Sequence, residues 1–301
     1  VFNYESNFQP IESIWKSREI GPGINPLCNR SMDGMRRMKI ATWNINSARL
    51  RIGLITRFLR EHQPDVLCLQ EIKVINELFP AEPLKALGYV HQAIHGQKAY
   101  HGVAVLSRLP FRKTGVQDFC REGHARHMGV TLENGVELHN FYVPAGGDIP
   151  DPEANSKFAH KLHFLGEMAK FFGRRRARRT DPVVLVGDLN VAPLEHDVWS
   201  HKQLLNVVSH TPVETRLLGE VQNAFDWTDA TRHFVPPDEK IYSWWSYRAE
   251  DWDASDRGRR LDHVWVSPGL KGALTSQKII RKMRGWQKAS DHVPVIVEIE
   301  V

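Results

Sequence analysis

From Met38 onward the chain alternates short β-branched runs with longer stretches in which apolar residues recur every three or four positions. "KIATW" (39–43), "DVLCL" (65–69), "VAVLS" (103–107), "PVVLV" (182–186), "DHVWVS" (262–267) and "VPVIVEIEV" (293–301) read as strands, several of them apolar enough to be buried on both faces. "VTLENGVELHNFYV" (130–143) reads as a hairpin, because Asn134-Gly135 is a strong two-residue turn signal between alternating runs. Ile52, Ile55 and Leu59 take helical spacing over 52–62, which stops before Pro64. Phe158, Leu162, Leu165, Ala169 and Phe172 share one face of a helix over 155–172, with Gly173 as its stop. After "PVVLV" comes a loop-rich stretch with helical pieces. Interleaved strands and helices with an antiparallel hairpin predict one layered α/β domain built on packed sheets.

The apolar runs end alike. "ATWNIN" stops at Asn44, "DVLCLQE" at Glu71 and "VVLVGDLN" at Asp188 and Asn190; Asp262 precedes one strand, and Asp291 with His292 precedes the last. Asp188 and Asn190, two apart, share a face if the chain stays extended, and Gly187 lets the backbone bend or approach a neighbour. Such a pair can bind a hard cation, orient a water or grip a phosphate, or it can simply form a turn. Five strand ends with the same chemistry predict a cluster of oxygen ligands with one histidine along one sheet edge. Oxygen donors favour Mg²⁺, with Mn²⁺ as the alternative ion, over zinc. Nucleophile-elbow, P-loop and HExxH patterns are missing from the sequence, and an Asp–His pair beside such an ion suits phosphodiester hydrolysis.

Composition narrows the partners only slightly. Of 301 residues, 42% are hydrophobic, and 40 Lys plus Arg against 35 Asp plus Glu give a net charge of +5, a mild basic bias compatible with a polyanion. Cys28, Cys68 and Cys120 are odd in number, far apart and free of any CxxC spacing, which argues against a disulfide framework or a structural zinc site and fits a reducing cytoplasm. Apolar runs stay well short of the ~18 residues that span a bilayer, so no membrane partner is expected. Residues 1–37 carry Pro10, Pro22 and Pro26 with no periodicity and read as a loosely ordered extension; residues 38–301 form the catalytic domain. The "RRRARR" run (174–179) reads as a solvated helix end that complements the helix dipole. His91, His95 and His101 read as surrounding a loop where no acid or cysteine completes a set, so no zinc site is expected there.

At eight motifs the chain resembles the exonuclease III family of AP endonucleases, within the endonuclease/exonuclease/phosphatase superfamily. They are "WNINSAR" (43–49), "LQEIK" (69–73), "GVAVLSR" (102–108), "NFYVP" (140–144), "GDLN" (187–190), "YSWWSYR" (242–248), "RRLDHVWVS" (259–267) and "SDHVPV" (290–295). The resemblance implies a four-layered α/β sandwich, two packed mixed sheets flanked by helices. It implies an enzyme that cleaves the phosphodiester 5′ to abasic sites in double-stranded DNA, with 3′–5′ exonuclease and 3′-phosphatase or phosphodiesterase activity on blocked 3′ ends at the same site. It makes Glu71 the principal Mg²⁺ ligand with Asn44 beside it; the wider ligand set adds Asp188, Asn190, Asp291 and His292. Asp188 would activate the water, Asn190 hold the phosphate, Tyr142 reach the phosphate or leaving oxygen, and His292 contact the phosphate with Asp262 orienting it. Arg126, Lys157, Trp244 and Arg259 would contact DNA, Trp244 as the wall of a pocket for a baseless sugar, while Trp245 belongs to the core. Arg259 stands where relatives place an intercalating aromatic, and Ala145 where they often carry Asn or Gln. A monomer, cytoplasmic and held to the nucleoid through DNA, is the expected form. A phosphoinositide, sphingomyelin or nucleotide hydrolase and a non-catalytic DNA-binding module are the competing readings.

Overall fold

The computed structural model describes residues 36–301. In chain order the strands are β1 (Arg37–Asn44), β2 (Val66–Gln70), β3 (His91–His95), β4 (Val103–Ser107) and β5 (Phe111–Gly115). Next come β6 (His127–Leu132), β7 (Glu137–Tyr142), β8 (Val183–Asp188), β9 (Thr228–Asp229) and β10 (Trp244–Trp245). The last four are β11 (Gly258–Arg259), β12 (Asp262–Val266), β13 (Leu274–Ile279) and β14 (Val295–Glu300). Two six-stranded sheets, ordered β13-β14-β1-β2-β4-β3 and β5-β6-β7-β8-β12-β9, make the framework. Each is mixed: β1 runs parallel to β2 and β7 to β8, and the other pairs are antiparallel. The sheets pack face to face, β1 against β8 and β2 against β7. Helix Ile52–His62 covers one outer face, and Ser156–Arg174 with Pro212–Ala224 covers the other, giving the four layers expected.

Period-two alternation places the site. Ile40 of β1, Val66 and Cys68 of β2, Leu138 of β7, Val184 and Val186 of β8, and Val264 and Val266 of β12 fill the layer between the sheets. Continuing each inward face to the strand end reaches Asn44, Gln70, Tyr142, Asp188 and Asp262. Strand directions bring all of these ends to the same edge, so the apolar layer gives way to a polar one. Gln70 and Asn140 close the boundary: the Gln70 amide donates to Asn140 Oδ1 at 2.7 Å, and Asn140 donates to Leu69 and Ala104 carbonyls.

Several local expectations change. Residues 1–35 of the expected extension, with Cys28, lie outside the described residues, but Arg36 and Arg37 already pair with Val301 and Glu300, so β1 begins before Met38. Gly173 does not stop its helix, which runs through Arg174 and continues as a 3-10 turn, Arg176–Arg178. The buried face of that helix is Phe158, Lys161, Phe164, Leu165, Met168 and Phe172, with Leu162 and Ala169 only half-buried. The arginine run is not simply solvated. Arg176 and Arg179 pair with Asp226, Arg178 with Asp181, and Arg175 with Glu137. His91 and His95 bound strand β3 instead of a loop; β3, β5 and β13 are sheet strands that the hydrophobic pattern leaves unmarked, because half-exposed strands carry polar residues on both faces.

Candidate active site

Backbone geometry sets this edge. Gly187 has φ 141°, and a Cβ there would stand 1.9 Å from the Phe141 carbonyl oxygen of the parallel neighbour β7. Only glycine permits that approach, which sets Asp188 and Tyr142 as register partners. Asn46, Ser47, Glu71, Lys73 and Asn190 all have left-handed φ without being glycine, a concentration of backbone strain at the strand ends that carry the polar groups.

The side chains form one connected set. Asn44 donates through Nδ2 to Glu71 Oε1 at 3.0 Å and to Asp188 Oδ2 at 2.9 Å, tying the two sheets together. Tyr142 donates its hydroxyl to Glu71 Oε1 at 2.7 Å, and Lys73 Nζ lies 2.7 Å from Glu71 Oε2. Burial alone would raise the Glu71 carboxyl, but the Lys73 charge and the Asn44, Lys73 and Tyr142 donors hold it below the usual range. The Tyr142 hydroxyl is pushed well up by burial and by the carboxylates of Glu71 and Asp188, so it stays a phenol.

His292 sits between two carboxylates. Its Nδ1 is 2.8 Å from Asp262 Oδ2, and its Nε2 is 3.7 Å from Asp188 Oδ2. Trp43 Nε1 donates to the His292 carbonyl, and Ser290 Oγ donates to the Asn44 carbonyl, fixing this segment against β1. Ser243 Oγ donates to Asp262 at 2.7 Å. Burial opposes the imidazolium, yet Asp262 and Asp188 outweigh it and raise His292 above its ordinary value. Asp188 is raised as well, chiefly by burial, with Asp262 adding to it and His292 opposing.

Asn190 differs from the expected role. Its two amide protons go to the Val143 carbonyl at 2.9 Å and to Asp188 Oδ2 at 3.1 Å, so here it orients Asp188 and leaves no donor over for a phosphate. Asp291 is also engaged: Asn46 donates to Oδ1 and the Trp244 indole to Oδ2, so the residue braces Trp244. Arg126 is buried, lies over the Tyr142 ring at 4.8 Å and donates to the Tyr142 carbonyl; it braces that tyrosine and is not an exposed DNA contact. Lys157 is exposed on the first turn of its helix. Arg259 donates to the Val208 carbonyl and Ser209 Oγ and stacks over Trp244 at 5.2 Å. Trp245 is core, at 2% exposure.

A cavity of about 660 Å³ opens over this set, and Glu71, Asp188, Asn190 and His292 line it together with Trp199, Trp244, Arg248, Arg257 and Arg259. Two residues here escape the sequence reading. Lys73 follows Glu71 by two positions inside a quoted motif, and that spacing was its signal. Lys161 is wholly buried, paired with Glu214, and donates to the Asn190 carbonyl at 2.7 Å, holding the "GDLN" turn from below. Its signal was a lysine standing within an apolar helical stripe.

Asp188, Asp262 and His292 each offer a ligand atom within 4.8 Å of the others, but the Asp262–Nδ1 bond reads as an orienting one. Glu71, kept anionic and lining the cavity, is the oxygen donor that fits a hard cation, whereas Asn44 turns its Nδ2 to Glu71 and its Oδ1 accepts the Asn46 N–H, so it would add an oxygen ligand only with its amide turned over.

Comparison with known proteins agrees with this geometry. The Endonuclease/Exonuclease/phosphatase family matches residues 41–292. Exodeoxyribonuclease III of Haemophilus influenzae is 30% identical over 276 residues, covering 87% of this chain and 100% of that protein. An AP endonuclease from Archaeoglobus fulgidus superposes with a TM-score of 0.81 at 30% identity, covering 88% of this chain and 100% of that one. The 3′ phosphatase NExo from Neisseria, bound to a product DNA hairpin, gives 0.80 at 30% identity with the same coverage. The chain belongs to the endonuclease/exonuclease/phosphatase family, among its exonuclease III and AP endonuclease members.

Proposed function

We propose that this phosphodiester hydrolase of the exonuclease III type acts in DNA repair with Mg²⁺, or Mn²⁺ as the alternative. Its reaction would be incision 5′ to abasic sites in duplex DNA, with clearing of blocked 3′ ends at the same site. The observation that carries the reading is His292, buried and held as a cation between Asp188 and Asp262 at the wall of a cavity that also exposes Glu71. Glu71 with Asn44 would hold the ion, which when bound supplies neutralisation of charge on the scissile phosphate. Asp188, its carboxyl raised toward neutrality, is suited to take the proton of the attacking water, and Asn190 and Asn44 fix its orientation. His292 Nε2 is too far from Asp188 for a good hydrogen bond, so its proton is free for a phosphate oxygen in the transition state. Tyr142, still a phenol, can turn its hydroxyl from Glu71 to the departing oxygen.

The aromatic and cationic wall supports a sugar–phosphate substrate over a lipid headgroup. Trp244 carries Arg259 over its ring, and Trp199, Arg248 and Arg257 line the same cavity. Among the described residues no helix is long and apolar enough to cross a membrane, and a monomer working on DNA in the cytoplasm is consistent with that. A labelled duplex with one abasic site, incubated with Mg²⁺ and with EDTA, tests the reading on a denaturing gel. Chelator-sensitive incision immediately 5′ to the site is expected. An intact strand, with hydrolysis of inositol phosphates or free nucleotides instead, would move the enzyme to another branch of the family.

A further inference from the structure

The segment joining β5 to β6 lies against the helix Ser156–Arg174, next to the active site but outside it. Asp118 shapes it: Oδ1 accepts the N–H groups of Cys120 and Arg121, and Oδ2 accepts that of Gly123. The turn brings Cys120 and His124, three residues between them, up to His160 on the helix. One ligand atom of each lies within 4.8 Å of the others. His124 Nδ1 and His160 Nε2 are buried and have no hydrogen-bond partner among the described residues. Glu122 Oε2 stands 3.3 Å from the first and 3.9 Å from the second, without the alignment of a hydrogen bond. Buried polar atoms left unpaired are costly, and two imidazole lone pairs beside a thiol and a carboxylate are what a metal ion would occupy.

We propose that Cys120, His124 and His160 bind a zinc-class transition-metal ion, with Glu122 as fourth ligand, at a structural site distinct from the catalytic cation. The donor set of one sulfur, two nitrogens and one oxygen suits Zn²⁺ or Co²⁺ and is too soft for Mg²⁺. Tetrahedral bonds of about 2.0–2.3 Å separate ligand atoms by roughly 3.3–3.8 Å, so the side chains close by about 1 Å on binding. Cys120 Sγ gives up its contact with Asp118 Oδ1, now 3.3 Å away. Burial pushes the free thiol up to about 11, so binding exchanges a thiol proton, released to solvent, for a metal–sulfur bond. The ion would clamp the loop to the helix one layer of side chains from the chemistry. The His101 ring lies tilted against His124 at 4.7 Å and against Tyr142 at 6.1 Å, and Arg126, two residues after His124, lies over the Tyr142 ring.

The test is a Co²⁺ titration of the full chain, stripped with chelator, in a Cys28→Ser background, where Cys120 and the core residue Cys68 are the remaining thiols. One equivalent of Co²⁺ is expected to give a sulfur-to-cobalt charge-transfer band with tetrahedral visible bands. Zn²⁺ should displace it and excess Mg²⁺ should not. The band should vanish in Cys120→Ser, weaken at least ~10-fold in affinity in His160→Gln, and persist in Glu71→Gln, which separates it from the catalytic site. Absence of the thiolate band in the parent protein, or its survival in Cys120→Ser, overturns the proposal. Should Cys120→Ser fail to fold, His124→Gln at the more open side replaces it, and unchanged Co²⁺ affinity there overturns the proposal equally.

Discussion

Asp188 and Asp262 stand directly opposite each other across the β8–β12 ladder, and both reach the imidazole of His292. Like charges in such a pair repel, and burial opposes each of them. A cationic His292 between them offsets both effects, which is why its protonated form is favoured here. On the function proposed above, Asp188 would serve as the base, His292 as the cation and Asp262 as its anchor.

Asp188→Asn keeps the size of the side chain and much of its hydrogen bonding but removes its basicity. Incision should fall by ~10³-fold or more, about 4 kcal/mol of barrier, while abasic DNA binds as well or better. The pH profile is the sharper measurement. Asp188 is raised above the ordinary carboxylate range, so the rate of the parent enzyme should climb as pH rises through that raised value. The rising limb should disappear in Asp188→Asn. A variant within a few-fold of the parent would remove Asp188 as the base.

Asp262→Asn tests the anchor. Asp262 is the larger of the two carboxylate influences that raise His292, so its loss should lower the His292 midpoint. Because the imidazole is protonated below that midpoint, the rate defect should be modest at mildly acidic pH and grow as pH increases. NMR titration of the His292 ring reads the same shift without turnover. An unmoved midpoint would show that the Asp262 contact does not set the charge.

Glu71→Gln should bind Mg²⁺ at least ~10-fold more weakly by calorimetry, because an anionic oxygen ligand becomes a neutral one. Incision should return in part at high Mg²⁺. Lys73→Met should leave the ligand in place but raise the Glu71 carboxyl toward its ordinary value, so metal binding is lost at a higher pH as the solution is acidified. Parent-like Mg²⁺ affinity in Glu71→Gln would take Glu71 out of the ligand set.

How much of this was legible depended on where the physics was local. Asn44, Asp188 and Asp262 are legible because each ends the inward-facing series of its strand, and sheet packing carries that series straight into the site; Glu71 and His292 stand out only as polar residues beside apolar runs, one position off the series. Edge strands β3 and β13 are not legible, since their polar residues are neutral as to face. Asn190, Arg126 and Asp291 stand out in the sequence as positions, but the hydrogen bonds that engage them in the structure do not. Their partners, Asp188 Oδ2, the Tyr142 carbonyl and the Trp244 indole, come from distant parts of the chain or depend on a rotamer. Lys161 was hidden by the same limit, because only the packed structure supplies Glu214 and the Asn190 carbonyl that make its burial tolerable.

Two glycines give the last prediction, and they should respond with opposite signs. Gly187 has φ 141° and faces the Phe141 backbone so closely that an added Cβ would lie 1.9 Å from its oxygen. Backbone cannot yield as a side-chain tip can, so Gly187→Ala must push β7 from β8 at the Phe141–Gly187 pair, next to the one formed by Tyr142 and Asp188. Urea denaturation should show a loss of about 3 kcal/mol or more, and the protein that does fold should incise poorly, because β7 carries Tyr142 to Glu71 and β8 carries Asp188 to Asn44, so parting the two strands disturbs both bonds. Gly173 lies inside its helix with open space around the position of a Cβ. Gly173→Ala should therefore stabilise the fold by about 0.5–1 kcal/mol with activity unchanged. If Gly187→Ala unfolds within about 1 kcal/mol of the parent, the close approach at β7 is not what fixes the catalytic edge.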